Sequence, residues 1–207
     1  LGKADEAARY AGLADDIAKA FHAKRFDAKT ATYGDGSQAT ALLPLALNLV
    51  PQDARAAVAD RLAATIQGRD KGHLDTGIFG TRYLLDVLCD FGKADLAVSM
   101  LKQPDYPGFG FQIGQGATTL WEQWTVKGGM NSHNHAMFAG LDASLFSRLA
   151  GITALKPAFA QIGIRPSLPN ELTFVEASQE TVKGRVAVRW QITGGTVDLR
   201  VTVPVNT

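Results

Sequence analysis

The sequence has few cysteines and no long apolar run, two features that would narrow the class of protein. It contains a single cysteine, Cys89, so no internal disulfide can form, and the apolar helical pattern around it predicts a buried thiol. No apolar run approaches the ~20 residues that a membrane-spanning helix needs. The longest run, residues 41–50, is interrupted by Pro44. The sequence therefore predicts neither a disulfide framework nor a membrane partner.

The sequence also lacks an excess of charge of either sign. There are 21 Lys and Arg residues against 20 Asp and Glu residues, which gives a net charge of +1 without a basic stripe. A nucleic-acid partner is therefore not expected. The chain has no initiator methionine or signal-like segment, and it stops directly after an alternating strand. We expect a fragment of a longer protein, and the sequence leaves the cellular compartment open.

The length of 207 residues and the 46% hydrophobic content allow one large domain or two modest ones. Apolar residues recur at helical spacing up to about residue 149, which favours stacked antiparallel helical pairs. Seven helices are predicted: 6–21, 38–49, one from Pro51 to Gly68, one ending at Gly92, 93–101, one beginning near Thr118, and 134–149. The fourth is expected to be capped by Thr76 and to bury Phe79.

Beyond Pro157 the apolar period changes from 3.6 to 2, which is typical of antiparallel strands. A short strand is predicted around 162–164, another strand is predicted to start at 172–174, and longer strands are predicted over 186–192 and 197–203. Gly194 and Gly195 form a two-residue hairpin turn between the last two. Helices followed by strands indicate an α+β protein in two packing units, with the boundary near 151–158.

Residues 106–138 combine glycine, aromatic and polar side chains in the way that ligand sites do. Glu122 lies between Trp121 and Trp124. Thr119 followed by Glu122 fits a capping box at a helix start, whereas the flanking tryptophans favour a functional carboxylate, and both interpretations can hold. His135 is either a packed residue or a ligand contact.

Metal and covalent chemistry find little support in the same stretch. His133 and His135 are two residues apart, whereas a metal-binding pair on one helix face needs a spacing of four. No cysteine or carboxylate stands nearby at ligand spacing, so neither a metal nor a cofactor is expected. No G-x-S-x-G nucleophile motif is present.

Several motifs together resemble the bacterial α-L-rhamnosidases, which are inverting glycoside hydrolases. GQGATTLWEQW at 114–124 is similar to their signature region, with YPGFGF at 106–111 before it and MNSHNHAMF at 130–138 after it. HLDTGIFGTRYLLDVL at 73–88 is similar to the segment that precedes that signature. The strands from residue 163 to 207 resemble the β-sandwich that follows the catalytic barrel.

The resemblance implies the later helices of the catalytic (α/α) six-hairpin barrel over residues 1–152 and an incomplete C-terminal antiparallel β-sandwich over 153–207. It implies that Glu122 is the general base and that His135 contacts the bound sugar. Trp121 and Phe111 are expected to form aromatic walls of the sugar site. The implied partner is a rhamnose-containing oligosaccharide or glycoside.

Inverting hydrolysis also needs a general acid. In the family this acid lies in an acidic, Arg-containing motif further upstream, which these 207 residues lack. The resemblance therefore implies that the isolated chain is inactive and that its partner is the remainder of the same polypeptide. The alternative is a non-catalytic carbohydrate-binding or structural module, because both architectures also occur without catalysis.

Overall fold

The computed structural model describes residues 2–125, 127–205 and 207. Helices dominate up to residue 149, and antiparallel strands follow, which confirms the predicted α+β organisation in two parts. The helices are α1 (Ala4–Arg25), α2 (Gln38–Ala46), α3 (Arg55–Gln67), α4 (Ile78–Asp90), α5 (Ala94–Leu101) and α6 (Phe109–Gly114). A last helical segment, α7 (136–149), consists of a 3-10 helix (Ala136–Leu141), an α-helical turn (Asp142–Ser144) and a π-helix (Leu145–Leu149).

The helical core forms where the predicted apolar faces meet. Helix α4 packs against α2, α5 and α7, and α2 also packs against α3. The buried face of α3 consists of Val58, Leu62 and Ile66, as its spacing predicts, and Gly68 follows its last turn. Within the described residues, no helix is long and apolar enough to cross a membrane.

Helix α1 is longer than predicted, and its apolar face is open. None of its residues is buried, and Tyr10, Leu13 and Ile17 are 59%, 51% and 53% exposed. Only its last turns contact the core, where the ring of Phe21 stacks on Tyr33 with a 5.4 Å centroid distance. An amphipathic helix normally buries such a stripe, so α1 presents an apolar surface without a partner in the described part of the chain.

Three predictions about the helices were wrong. No helix begins near Thr118, because residues 117–125 form bends and irregular backbone. Thr76 does not cap α4, since Gly77 occupies the N-cap position and the Thr76 hydroxyl hydrogen-bonds that of Thr81 at 2.8 Å. Phe79 is 69% exposed. It lies in the first turn of α4 on a side that the neighbouring elements leave uncovered, whereas Gly80 and Thr81 in the same turn are buried.

The strands form three antiparallel sheets. A small hairpin pairs β1 (Phe26–Asp27) with β2 (Thr32–Tyr33), and a second hairpin pairs β3 (Ile152–Lys156) with β4 (Gln161–Ile164). The third sheet has three strands, in the order β5 (Phe174–Thr181), β6 (Gly184–Thr193) and β7 (Thr196–Thr202). The β6–β7 register pairs Trp190 with Leu199, and the turn lies at Gly194 and Gly195 as predicted. The sequence did not predict β1, β2 or β3.

The β3–β4 hairpin packs on the three-stranded sheet around a small second core. Trp190 is fully buried at its centre beside Val186 and Val188. The indole Nε1 of Trp190 donates a hydrogen bond of 2.8 Å to the carbonyl of Leu149 at the end of α7. This bond joins the sheet core directly to the helix that begins after His135.

Further polar contacts tie the sheets to the helical core. The backbone N–H of Ser167, between β4 and β5, donates to the carbonyl of Arg148 in α7 at 2.7 Å. The Arg148 side chain in turn forms ion pairs of 2.8 and 2.7 Å with Asp86 and Asp90 of α4. The segment between β4 and β5 is also hydrogen-bonded to α5, where the side-chain amide of Asn170 donates to the carboxylate of Asp95 at 3.0 Å. The segment between β4 and β5 is therefore hydrogen-bonded to two helices, α5 and α7.

Candidate active site

Glu122 lies in an irregular loop, residues 118–125, which we call the glutamate loop. It runs beside a second irregular segment, residues 131–135, which we call the histidine loop. The backbone N–H of Glu122 donates to the carbonyl of Ser132 at 3.1 Å, and that of His135 donates to the carbonyl of Leu120 at 2.8 Å. The two loops therefore bring Glu122 and His135, which are 13 positions apart in sequence, into one hydrogen-bonded unit.

The predicted capping box is absent, and both of its side chains bond elsewhere. The hydroxyl of Thr119 donates to the carbonyl of His133. One carboxylate oxygen of Glu122, Oε2, accepts hydrogen bonds from the backbone N–H groups of Asn131 and Ser132 at 3.0 and 3.1 Å. Thr and Glu side chains satisfy backbone groups wherever they are available, and here the histidine loop supplies them.

The carboxylate of Glu122 is consequently fixed through one oxygen. Its other oxygen, Oε1, forms no hydrogen bond with the described residues, and the side chain is half-buried. Bonds from backbone N–H groups to a carboxylate are charge-assisted and hold it in a defined orientation. A carboxylate held in this way has one oxygen with which it can accept a proton from a bound molecule.

His135 lies immediately before α7, in the N-cap position, and is half-buried. Within the described residues its ring forms no hydrogen bond, so its nitrogens can contact a ligand. Its neighbour His133 packs against Trp121, with the rings edge to face and 5.5 Å apart. The structure therefore places the two histidines in different environments and leaves His135 as the better candidate for a ligand contact.

The two predicted aromatic walls occupy different positions. Trp121 is only 5% exposed, so most of its ring is already covered by the protein. Phe111 lies on α6 and packs edge to face on Tyr106 at 5.4 Å. Trp121 adjoins Glu122 in the chain, whereas Phe111 packs on Tyr106, which lies outside both loops. Their roles as sugar-binding residues stay predictions.

Two buried side chains that the sequence did not single out as anchors hold the glutamate loop against the core. Trp124 Nε1 donates to the carbonyl of Thr76 at 2.7 Å, which joins the loop to the segment before α4. Gln112 Nε2 donates to the carbonyl of Gln123 at 3.0 Å. An isolated glutamine on a short helix carries no sequence signal for this bond, because its partner is a backbone carbonyl.

Cavity size alone does not mark the site. A cavity of about 250 Å³ lies beside the glutamate loop, and Thr118, Thr119 and Leu120 form part of its wall. A polar cavity of about 510 Å³ lies elsewhere, lined in part by Asp35, Arg61 and Arg69. In the described part of the chain, no group of three His, Cys, Asp or Glu side chains is placed to hold a metal ion.

Comparison with known proteins assigns the chain that carries these two loops to a family. The model of the bacterial alpha-L-rhamnosidase 6 hairpin glycosidase domain matches residues 1–149, and that of the bacterial alpha-L-rhamnosidase C-terminal domain matches residues 151–207. The chain belongs to the bacterial α-L-rhamnosidase family. The family confirms the resemblance on which Glu122 and His135 were selected, although the match does not test the roles of individual residues.

Individual α-L-rhamnosidases agree in sequence and in structure. The Streptomyces avermitilis enzyme is 38% identical over 215 residues, which include all of this chain and 20% of that protein. The Alteromonas sp. enzyme is 35% identical and is covered to 23%. The structure of the Dictyoglumus thermophilum enzyme superposes with a TM-score of 0.93 at 41% identity, over all of this chain and 24% of that one.

A crystal structure of the Streptomyces avermitilis α-L-rhamnosidase complexed with L-rhamnose superposes with a TM-score of 0.89 at 35% identity, over 97% of this chain and 20% of that one. The present chain thus spans about a fifth to a quarter of the length of the α-L-rhamnosidases that it matches.

Proposed function

We propose that this chain is the part of an inverting α-L-rhamnosidase that carries the general base, Glu122. The observation that supports the proposal is the carboxylate itself. One of its oxygens is bound to two backbone N–H groups, the other is free of hydrogen bonds within the described residues, and the surrounding motifs match the family. Such a carboxylate is oriented and can accept a proton.

In the proposed reaction, Glu122 takes a proton from a water molecule as the water oxygen bonds to the anomeric carbon of the rhamnose. The bond between that carbon and the leaving-group oxygen breaks, and a general acid donates a proton to that oxygen. The two carboxyl groups of an inverting pair stand about 6.5–9.5 Å apart. We propose that the acid lies outside these 207 residues, so that the isolated chain does not turn over rhamnosides.

The remaining roles follow the same proposal. His135 would contact the sugar, since its ring is half-buried and makes no hydrogen bond in the described structure. Trp121 and Phe111 would contribute aromatic surface to the site. Residues 1–152 would supply the later helices of the catalytic barrel and 153–207 the C-terminal β-sandwich. L-Rhamnose bound to the Streptomyces avermitilis relative supports rhamnose as the sugar.

The rest of the polypeptide is the proposed partner of α1. The stripe formed by Tyr10, Leu13 and Ile17 is more than half exposed at each residue. A six-hairpin barrel closes by packing each hairpin against its neighbours, so an unpartnered apolar helix face suits contact with earlier hairpins. The proposal accounts for this surface without requiring a second protein.

The test is Glu122→Gln in the full-length protein that carries this chain. General acid–base catalysis contributes about 10²–10⁴-fold, so turnover of an aryl α-L-rhamnoside should fall by that factor while the melting temperature stays close to wild type. Glu180→Gln, an exposed glutamate on β5, is the matched control and should keep full activity.

The stereochemistry is read from the same reaction. Proton NMR of the first product formed should show the inverted, β-configured rhamnose. Wild-type turnover by Glu122→Gln would contradict its role as the base. Rhamnose binding by the full-length protein without any turnover would favour the non-catalytic module.

A further inference from the structure

The glutamate loop has neither a helix nor a strand of its own. Its backbone bonds join it to the histidine loop, which is irregular as well. The histidine loop runs directly into α7, whereas the glutamate loop needs further contacts to fix its position relative to the core. The orientation of Glu122 therefore depends on the histidine loop and on side chains that reach the glutamate loop from regular elements.

Gln112 of α6 supplies one of these contacts. Its side chain is 2% exposed, and its Nε2 donates to the carbonyl of Gln123, the residue after Glu122, at 3.0 Å. We propose that Gln112 is a positioning residue for the reaction: it holds the peptide after Glu122 in place and thereby aims the carboxylate. This inference rests on the proposed function and concerns the same site.

The helix that carries Gln112 is itself held firmly. Gly110 approaches the backbone of Gln103 and Pro104 so closely that a Cβ at this position would overlap them. The ring of Phe109 packs edge to face on the core residue Phe138 of α7, with the ring centroids 6.1 Å apart. Because α6 is fixed on both sides, the hydrogen bond from its Gln112 holds the glutamate loop in place relative to the core.

A substitution at Gln112 removes the contact to the glutamate loop more selectively than a substitution at Trp124 would. The Trp124 indole also bonds the Thr76 carbonyl, but it packs among core aromatic rings, with Phe138 only 4.2 Å away. Its removal would leave a cavity and destabilise the core. Replacing Gln112 by methionine, in contrast, keeps the length of the side chain and deletes the N–H donor.

Loss of the donor leaves the Gln123 carbonyl without a partner, so the peptide is free to rotate and to carry Glu122 with it. A misplacement of about 1 Å can cost roughly 10²-fold in rate. Since Gln112 is not expected to touch the sugar, Gln112→Met should lower kcat about 10- to 100-fold in the full-length enzyme and change KM by less than about twofold.

A double-mutant cycle tests whether this effect passes through Glu122. An aryl α-L-rhamnoside is used with wild type, Gln112→Met, Glu122→Gln and the double variant. If Gln112 acts by aiming the carboxylate, adding Gln112→Met to Glu122→Gln should change the residual kcat by less than about twofold. Losses that multiply in the double variant would overturn the proposal.

The variant Gln112→Glu gives a readout that a merely structural role would not produce. A protonated glutamic acid can donate its O–H to the Gln123 carbonyl, whereas the ionised form directs a carboxylate at that oxygen. The ratio of its kcat to that of wild type should therefore rise as the pH falls. The corresponding ratio for Gln112→Met should stay constant with pH. A constant ratio for Gln112→Glu would overturn the proposal even if Gln112→Met proved too unstable to assay.

Trp190→Phe is the matched control, because it also deletes one buried N–H donor to a backbone carbonyl, that of Leu149, at a distance of 2.8 Å in the sheet core. It should lower the melting temperature and leave kcat unchanged. An equal loss of kcat in both variants would show general destabilisation and refute the positioning role. Full activity of Gln112→Met beside an inactive Glu122→Gln would refute only this inference, whereas an active Glu122→Gln would refute the proposed function.

Discussion

Gly151 stands at the junction of α7 and β3 and should tolerate no side chain. Its φ of +77° lies in the left-handed region. A Cβ there would overlap the backbone of Arg165 and Pro166, and it would lie 2.7 Å from the Arg165 carbonyl oxygen. Gly151→Ala therefore combines an unfavourable backbone conformation with a steric overlap against backbone atoms that cannot turn away.

Gly195 in the β6–β7 turn separates these two contributions. Its φ is +78°, but no atom lies within 4 Å of the Cβ position. An L-residue in the left-handed region costs about 1–2 kcal/mol, which is the whole loss expected for Gly195→Ala. Overpacking adds about 1–3 kcal/mol, so Gly151→Ala should lower the free energy of local unfolding by roughly 2–5 kcal/mol.

Hydrogen exchange followed by mass spectrometry measures this difference locally in the full-length protein. Because about 1.4 kcal/mol corresponds to a tenfold change in an equilibrium constant, Gly195→Ala should accelerate exchange in β6 and β7 peptides by about 5- to 30-fold. Gly151→Ala should accelerate exchange across β3 and β4 by about 30-fold to several thousand-fold. Equal acceleration by the two variants would refute the steric argument.

Two further predictions concern the charges of Tyr33 and of Arg148. Tyr33 is 1% exposed and burial raises the pKa of its hydroxyl, so its contribution to stability is complete below the unfolded pKa of about 10 and is lost as the pH rises towards the folded pKa. Between pH 8 and 11 the melting temperature should fall less for Tyr33→Phe than for wild type, and parallel curves would contradict this. Arg148→Leu should lower the melting temperature at neutral pH by leaving the carboxylates of Asp86 and Asp90 without their cation. The difference from wild type should shrink as acid protonates Asp90, because burial raises the pKa of that carboxyl, and a difference independent of pH would refute the prediction.

Much of the fold was predictable because it depends on local periodicity. The buried face of α3 and the paired strands β6 and β7 follow from apolar spacings of 3.6 and 2, and Gly194 and Gly195 mark the turn between the strands. Strand β3 was missed, because only its first residue, Ile152, is buried and the remainder of the strand carries no apolar alternation.

The exposed apolar residues show where periodicity stops being informative. Spacing identifies the face of α1 that carries Tyr10, Leu13 and Ile17, but it does not state what covers that face. Phe79 was assigned to a buried face for the same reason, yet it lies in the first turn of α4 and is mostly exposed. Whether an apolar side chain is covered depends on neighbours that are distant in sequence.

The candidate site divides in the same way. The sequence by itself determined the residue types, the glycine-rich loops and the family, because these are properties of the local string and of its motifs. Only the tertiary structure decided which backbone groups the side chains bond. The side chains of Thr119 and Glu122 could bond backbone groups at the start of a helix or those of another segment. The histidine loop and the anchors Gln112 and Trp124 select the second arrangement, which leaves Glu122 with one oxygen free of hydrogen bonds among the described residues.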